Sequence, residues 1–292
     1  MGPAQPLRHA LNQAARELDR AGVDCPLPEA RVLLAHALDV PLSRLDLLLK
    51  EPMSTEAADR YQGLVIARAA RRPLAYITGE TEFMGLRFRC DERALVPRPE
   101  TEILVEAVLD RLRARDPAAI ILDVGAGTGV IGLSLAVLLP GARAILTDIS
   151  REALALSPEN AEALNVTARV QFLCGPGLEP ALRAGLAEDI TCVVSNPPYI
   201  APAHLPSLPP EVALHEPQSA WLGEGETGLG VYERLIPQCA HRLPNLNLIA
   251  FEVGLGQAVA VGRLCEQAWP PFHTRIVKDL SGLDRVVLVE RG

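Results

Sequence analysis

Ile120-Ile121-Leu122-Asp123-Val124-Gly125-Ala126-Gly127-Thr128-Gly129 is the stretch on which the fold turns. Its first five residues are an apolar, β-branched-rich run of the length of a buried strand, and the apolar residues 130–139 read as a helix stopped at Pro140. Between them alternate glycines predict a strand-to-helix turn whose backbone can approach a ligand closely. The N–H groups of a helix N-terminus suit an anionic group such as a carboxylate. Asp148 ends the next apolar run, about twenty residues on, where a carboxylate can accept ribose hydroxyls. The same residues, Gly127 to Gly132, also match GxGxxG, so a dinucleotide site is a rival on this stretch alone.

Outward from that turn, strands are expected at 120–124, 142–147, 169–173, 190–195, 246–253, 274–277 and 285–290. Helices are expected at 130–139, 151–164, 229–243 and 257–268. The alternation predicts an α/β fold with a doubly wound, seven-stranded, mostly parallel sheet. Only residues 278–284 separate the last two strands, too few for a parallel crossover, so that pair is expected to be antiparallel.

Ser195-Asn196-Pro197-Pro198-Tyr199-Ile200 follows the strand at 190–195. Two successive prolines offer no N–H to a ladder, so the strand must stop at Asn196. An amide, a Pro-Pro turn and an aromatic ring then stand at the carboxyl end of the sheet, where open α/β sheets bind ligands. Residues 197–228, rich in Pro and Gly, read as a long irregular loop forming a lid or groove.

Residues 1 to about 75 read as helices only, a small bundle. Leu7, Leu11, Ala14, Ala15 and Leu18 recur at helical spacing up to Gly22. Pro28 opens a second helix, Ser43 caps a short third, and 54–71 forms a longer one with Tyr61, Leu64, Val65 and Ala69 inward. The bundle serves equally as a folding cap or as a docking module. Residues 83–90 read as a Gly-turned hairpin. Pro97 and Pro99 hold the next stretch extended ahead of a helix starting at Glu100 or Thr101. Arg98 and Glu100 form an exposed pair or brace a pocket. The expected organisation is therefore a helical bundle over 1–75, a β-hairpin linker over 76–97 and the sheet domain over 98–292.

The 292 residues are 49% hydrophobic and 22% charged, ordinary for a globular chain with a core, and the core must be aliphatic because aromatics are 4%. The longest apolar run, 130–139, is too short to span a bilayer. No signal pattern is read at the N-terminus. The six cysteines are scattered, with no metal-ligand or disulfide spacing, and are expected to be reduced core thiols in a cytoplasmic protein. Residues 1–95 hold 13 basic and 13 acidic side chains and the remainder 15 and 23, so the second part carries the whole net charge of −8. That argues against gripping long nucleic acid through its phosphates.

The Asp123–Gly129 run with Asp148 resembles the S-adenosyl-L-methionine site of class I, Rossmann-like methyltransferases. Asn196–Tyr199 resembles the motif of those that methylate a planar amide or amino nitrogen. Residues 72–77 with Gly79-Glu80, Phe83 and Gly85-Leu86, then 96–102, 251–254 and 279–285, extend the resemblance over nearly the whole chain. Together they resemble the release-factor glutamine N5-methyltransferases, the PrmC/HemK family. The resemblance implies S-adenosyl-L-methionine as cofactor, and as substrate the glutamine of the Gly-Gly-Gln motif in class I peptide release factors, held partly by the N-terminal bundle. It places cofactor contacts at Asp123, Gly125, Ala126, Gly127, Thr128, Gly129, Asp148, Ile149 and Asn196. Asn196 would accept one amide hydrogen through its side-chain oxygen and the Pro197 carbonyl the other, with Pro198 shaping and Tyr199 walling the pocket. A monomer without membrane attachment is expected. The chain departs from the family at Pro176-Gly177, where an acidic residue and an aromatic usually meet the adenine. Methylation of a nucleic-acid base, of a ribosomal-protein glutamine, or cofactor binding without catalysis are the alternatives. Asn160 reads as a surface residue, and Glu211, His215 and Glu216 as solvated loop residues.

Overall fold

The computed structural model describes residues 6–270 and 272–291. They divide into two units. One comprises the chain up to Gly79 together with Pro209–His215, and the other comprises Glu80–Leu208 and the chain from Glu216 on.

In the first unit, α1 (Leu7–Arg20), α2 (Pro26–Ala37), α3 (Leu45–Leu48), α4 (Thr55–Ala69) and α5 (Leu74–Thr78) pack around Leu11, Leu18, Leu33, Leu34, Leu45 and Tyr61. Helix α2 starts at Pro26, two residues before the expected Pro28, since proline's missing N–H costs nothing in a first turn. Ser54 caps α4 by accepting from the Ala57 N–H at 3.2 Å. Ser43 caps nothing and lies in a 3-10 turn, Leu42–Arg44, ahead of α3. Arg68 sits on the inward face of α4, 4% exposed, paired with Glu29 and, at 2.8 Å, with Glu211 of the inserted helix Pro210–His215. Arg71 reaches the other Glu211 oxygen at 2.7 Å, and His215 donates through Nε2 to the Ala70 carbonyl at 3.2 Å. The expectation that Glu211 and His215 are solvated loop residues is thus corrected: both belong to the helical unit.

In the second unit β1 (Glu80–Phe83) and β2 (Leu86–Arg89) form the hairpin. Phe83 and Phe88 meet edge-to-face, 6.2 Å between centroids, inside the core formed by Leu104, Val105, Val108 and Leu133. There follow α6 (Pro99–Arg115), β3 (Ile120–Val124), α7 (Val130–Leu138), β4 (Arg143–Asp148), α8 (Arg151–Ala163), β5 (Val170–Cys174), α9 (Glu179–Arg183) and β6 (Cys192–Ser195). After the inserted helix, α10, come α11 (Gly230–Arg242), β7 (Leu248–Glu252), α12 (Ala258–Ala268), β8 (Phe272–Lys278) and β9 (Asp284–Arg291). The seven-stranded sheet has the order β5-β4-β3-β6-β7-β9-β8. Strand β9 runs antiparallel to both neighbours and the other pairs are parallel, as expected from the short β8–β9 connection.

The order reverses between β3 and β6, so the carboxyl ends of these two strands flank the crevice where such sheets bind ligands. Residues 197–228, expected to be irregular, contain 3-10 turns at Pro202–Ser207 and Gln218–Ala220 as well as α10. Their second-unit part folds back on the sheet edge: the Ile200 N–H donates to the Trp221 carbonyl and the Gly223 N–H to the Ile200 carbonyl, each at 3.0 Å. Of the cysteines, Cys25 and Cys174 are exposed and only the other four are core thiols. Among the described residues no helix is long and apolar enough to cross a membrane, and no three His, Cys, Asp or Glu gather as a metal site.

Candidate active site

The glycine turn is held from two sides. Sheetward, the Gly125 and Ala126 N–H groups both donate to the Thr147 carbonyl, at 2.8 and 3.0 Å. From α8, Ser157 donates to the Gly127 carbonyl at 2.8 Å and Asn160 Nδ2 to the Thr128 carbonyl at 2.9 Å. Because N–H and C=O are trans across a peptide, drawing the Gly127 carbonyl toward α8 sends the Thr128 N–H the opposite way. Asn160 also accepts from the Arg89 N–H at 2.7 Å and donates to the Arg89 carbonyl at 3.2 Å. It is fully buried, which corrects its reading as a surface residue. Pro158 in mid-helix and Asn160 two positions on, both poor helix formers, are the signal that could have marked this face.

Asp123, expected at the cofactor, stands one layer behind. It is fully buried, is not among the residues lining the cleft, and accepts from the Gly132 N–H at 2.9 Å, capping the first turn of α7. Burial pushes its carboxyl up to about 7, against that hydrogen bond and helped by the charge of Asp148. Gly132 is there for space, since a Cβ would come within 2.7 Å of a Leu146 methyl and 3.0 Å of Asp123 Oδ2.

Asp148 ends β4 on the cleft. Its oxygens accept from the Gly127 and Ser150 N–H groups, both at 2.8 Å, leaving further lone pairs free. Burial raises its pKa and these backbone donors oppose the rise. Ile149 next to it is 68% exposed and lines the cleft as bare apolar surface.

Across the switch point, Ser195 donates to the Val124 carbonyl at 2.6 Å, tying the ends of β6 and β3 together. Asn196, Pro197 and Pro198 line the cleft. Asn196 Nδ2 donates to Thr101 Oγ1 at 3.2 Å, Thr101 donates to Glu252 Oε2 at 2.6 Å, and the Tyr199 hydroxyl donates to Glu252 Oε1 at 3.2 Å. Burial pushes the Glu252 carboxyl up, while the Thr101 hydrogen bond, Arg285 and Tyr199 pull it down. Burial, then the neighbouring Glu252, raises the Tyr199 phenol. The Tyr199 carbonyl accepts from Gln257 Nε2 at 3.0 Å, and Gly228, at φ +74°, crosses so close to that carbonyl that no Cβ fits.

These parts enclose a cleft of about 360 Å³. Gly125–Thr128, Asp148 and Ile149 form one wall and Asn196–Pro198 another. Arg98 lines it too, paired at 2.6 Å with Glu216, whose side chain is fully buried. Arg98 therefore braces the pocket through Glu216 rather than Glu100, and Glu216 is not a solvated loop charge. At the far end Gly175, Pro176 and Gly177 lie opposite Arg234, Leu235 and Gln238 of α11, with Gln238 Oε1 3.7 Å from where a Gly177 Cβ would stand.

Residues 9–79 match the family model of the PrmC N-terminal domain and residues 99–207 that of the methyltransferase small domain. The chain is 43% identical over 287 residues to the release factor glutamine methyltransferase of Moorella thermoacetica, covering 98% of each. It is 41% identical to the one of Cereibacter sphaeroides, covering 95% of this chain and 96% of that one. The hMettl16 catalytic domain in complex with MAT2A 3′UTR hairpin 1 superposes with a TM-score of 0.58 over 80% of each chain at 16% identity, a likeness of fold alone. Identity of this extent, spanning the helical unit, the glycine turn and the Asn196–Tyr199 edge together, means that the chain belongs to the release factor glutamine methyltransferase family.

Proposed function

We propose that the chain transfers a methyl group from S-adenosyl-L-methionine to the side-chain amide nitrogen of the glutamine in the Gly-Gly-Gln motif of class I peptide release factors. The observation that carries this reading is the meeting, at the β3/β6 switch point, of a glycine-turn cleft with an amide side chain and the Pro197-Pro198 turn.

The cleft suits the cofactor chemically. Its backbone edge at Gly125–Thr128 fits a carboxylate-bearing methionine end, the spare lone pairs of Asp148 fit ribose hydroxyls, and Ile149 offers apolar cover for a flat base. Pro176 and Gly177 cannot accept from or stack on adenine through side chains, and the Gln238 amide is a polar group that stands beside Gly177. When bound, the cofactor supplies a sulfonium methyl, an electrophile that needs no further activation.

What remains for the protein is to make a poor nucleophile usable. An amide nitrogen has a delocalised lone pair. Acceptors at Asn196 Oδ1 and the Pro197 carbonyl, taking its two hydrogens, raise electron density on the nitrogen and fix its approach. A base is not required beforehand, because the proton leaves to water once nitrogen carries the methyl and a positive charge. Tyr199 and Pro198 wall the planar group.

Transfer of labelled methyl to a purified class I release factor, with its Gln→Ala variant in the Gly-Gly-Gln motif as control, tests the reading. Label on the first and none on the second is expected. Equal label on both would refute the assigned residue, and none on either with cofactor bound would refute the substrate.

A further inference from the structure

Thr101 and Glu252 lie in two of the stretches that carry the family resemblance, yet the chemistry above leaves them without a task. Both are nearly inaccessible, at 3% and 1% exposure; Thr101 meets the cleft beside Asn196, and Glu252 stands behind it, outside the lining. The direction of their hydrogen bonds carries information. Both Glu252 oxygens accept, Oε1 from the Tyr199 hydroxyl at 3.2 Å and Oε2 from Thr101 at 2.6 Å, which uses the single Thr101 proton. Thr101 then faces Asn196 with lone pairs alone, and only the NH₂ half of an amide can meet a lone pair. The distance of 3.2 Å is from Nδ2, which turns Oδ1 away from Thr101.

We propose that Glu252 is a positioning residue that, through Thr101, dictates which end of the Asn196 amide meets the substrate. The inference rests on the reading of Asn196 as an acceptor. The two ends of an amide are nearly the same size, so packing alone holds either orientation. A flipped Asn196 would set its own donors against the donors of the glutamine nitrogen, and the nitrogen would be pushed off line. The same carboxyl group accepts from Tyr199, so one buried side chain orders both polar side chains of the edge.

The test is a set of variants in the full chain, assayed for methyl transfer and, separately, for cofactor binding by calorimetry and for thermal stability. Glu252→Gln inverts the relay. Tyr199 still donates to the Gln oxygen, the new NH₂ donates to Thr101, and Thr101 must donate to Asn196 Oδ1. A fall in kcat of a hundredfold or more is expected, with the cofactor Kd and KM within about threefold of the parent. Thr101→Val removes the lone pairs without changing shape and is expected to lower kcat at least tenfold. Thr101→Ser, which restores the hydroxyl, is expected to recover at least a third of the parent kcat.

Kcat within twofold of the parent in both Glu252→Gln and Thr101→Val would overturn the relay. So would a Thr101→Ser variant as slow as Thr101→Val, which would reduce Thr101 to packing. Asn196→Ala separates this inference from the one beneath it. Full transfer by that variant would refute Asn196 as acceptor, whereas loss there with activity kept in the other two would refute the relay alone.

Discussion

Replacing Asn160 by Ala removes a side chain that joins the hairpin strand β2 to the glycine turn. Three hydrogen bonds go: two to the part-buried backbone of Arg89 and one to the buried Thr128 carbonyl. The first two can be replaced partly by water and are worth about 1 kcal/mol each, while a buried carbonyl left without a donor costs about 2, for a total of roughly 3 to 4 kcal/mol. For a unit of this size that is a fall in Tm of roughly 10 °C. The Thr128 carbonyl, no longer drawn to α8, lets the turn relax, and cofactor Kd should weaken about tenfold on the same account, one fixed backbone hydrogen bond being worth about 1.4 kcal/mol at most. Urea unfolding of the full chain gives the first quantity and calorimetry with S-adenosyl-L-methionine the second. A loss of stability under about 1 kcal/mol would show that Asn160 does not organise the turn. A large loss with unchanged Kd would show that it holds the hairpin only.

Gly132→Ala forces a methyl against Leu146 and Asp123, both fully buried, and should cost about 1 to 3 kcal/mol by denaturant unfolding. Asp123 has a folded-state pKa near 7, above its unfolded value of about 3.9, so the folded chain holds a proton that the unfolded chain has released between those values. Its contribution to stability is therefore present below about pH 4 and is lost as pH rises through 7. Asp123→Asn should gain on the parent by roughly 2 to 3 kcal/mol between pH 5 and pH 8, read from paired unfolding curves at those two values; a difference that does not change with pH would refute the assignment. Arg98→Ala leaves the Glu216 carboxylate buried without its 2.6 Å partner. It should destabilise by about 2 to 3 kcal/mol, less than a fully interior pair because Arg98 itself is one-third exposed, and the check is Arg98→Ala against the double variant with Glu216→Gln, which should restore part of the loss.

The elements that the chain announced were those whose signal is local. Apolar runs ended by Gly, Pro or, at Asp148, a carboxylate marked the strands of the parallel sheet, and the seven residues between the last two expected strands pointed to their antiparallel pairing. The positions of the glycine turn and of Asn196–Tyr199 at strand ends were legible for the same reason, as the Gly and Pro-Pro signals stand in consecutive residues. What escaped was polar burial. Arg68, Asn160 and Glu216 look like surface residues because the groups that satisfy them lie far off in sequence: Glu211 for Arg68, the turn and hairpin for Asn160, Arg98 for Glu216. A charged or amide side chain is read as solvated until its partner is known. Asp123 was misplaced for a different reason, since a carboxylate at a strand end can serve either a ligand or the helix that follows, and here the Gly132 N–H takes it.

The helical unit is not continuous in sequence, because it borrows Pro209–His215 from far downstream. A fragment ending at Gly79 would lack Glu211, leaving Arg68 buried with one carboxylate instead of two and Arg71 with none. A fragment starting at Glu80 would carry Glu211 stripped of both arginines. Neither piece is a fair stand-in for the intact protein, so asking by truncation whether the helical unit docks the substrate would confound a missing surface with a torn one; point substitutions on exposed helix faces are the sounder test.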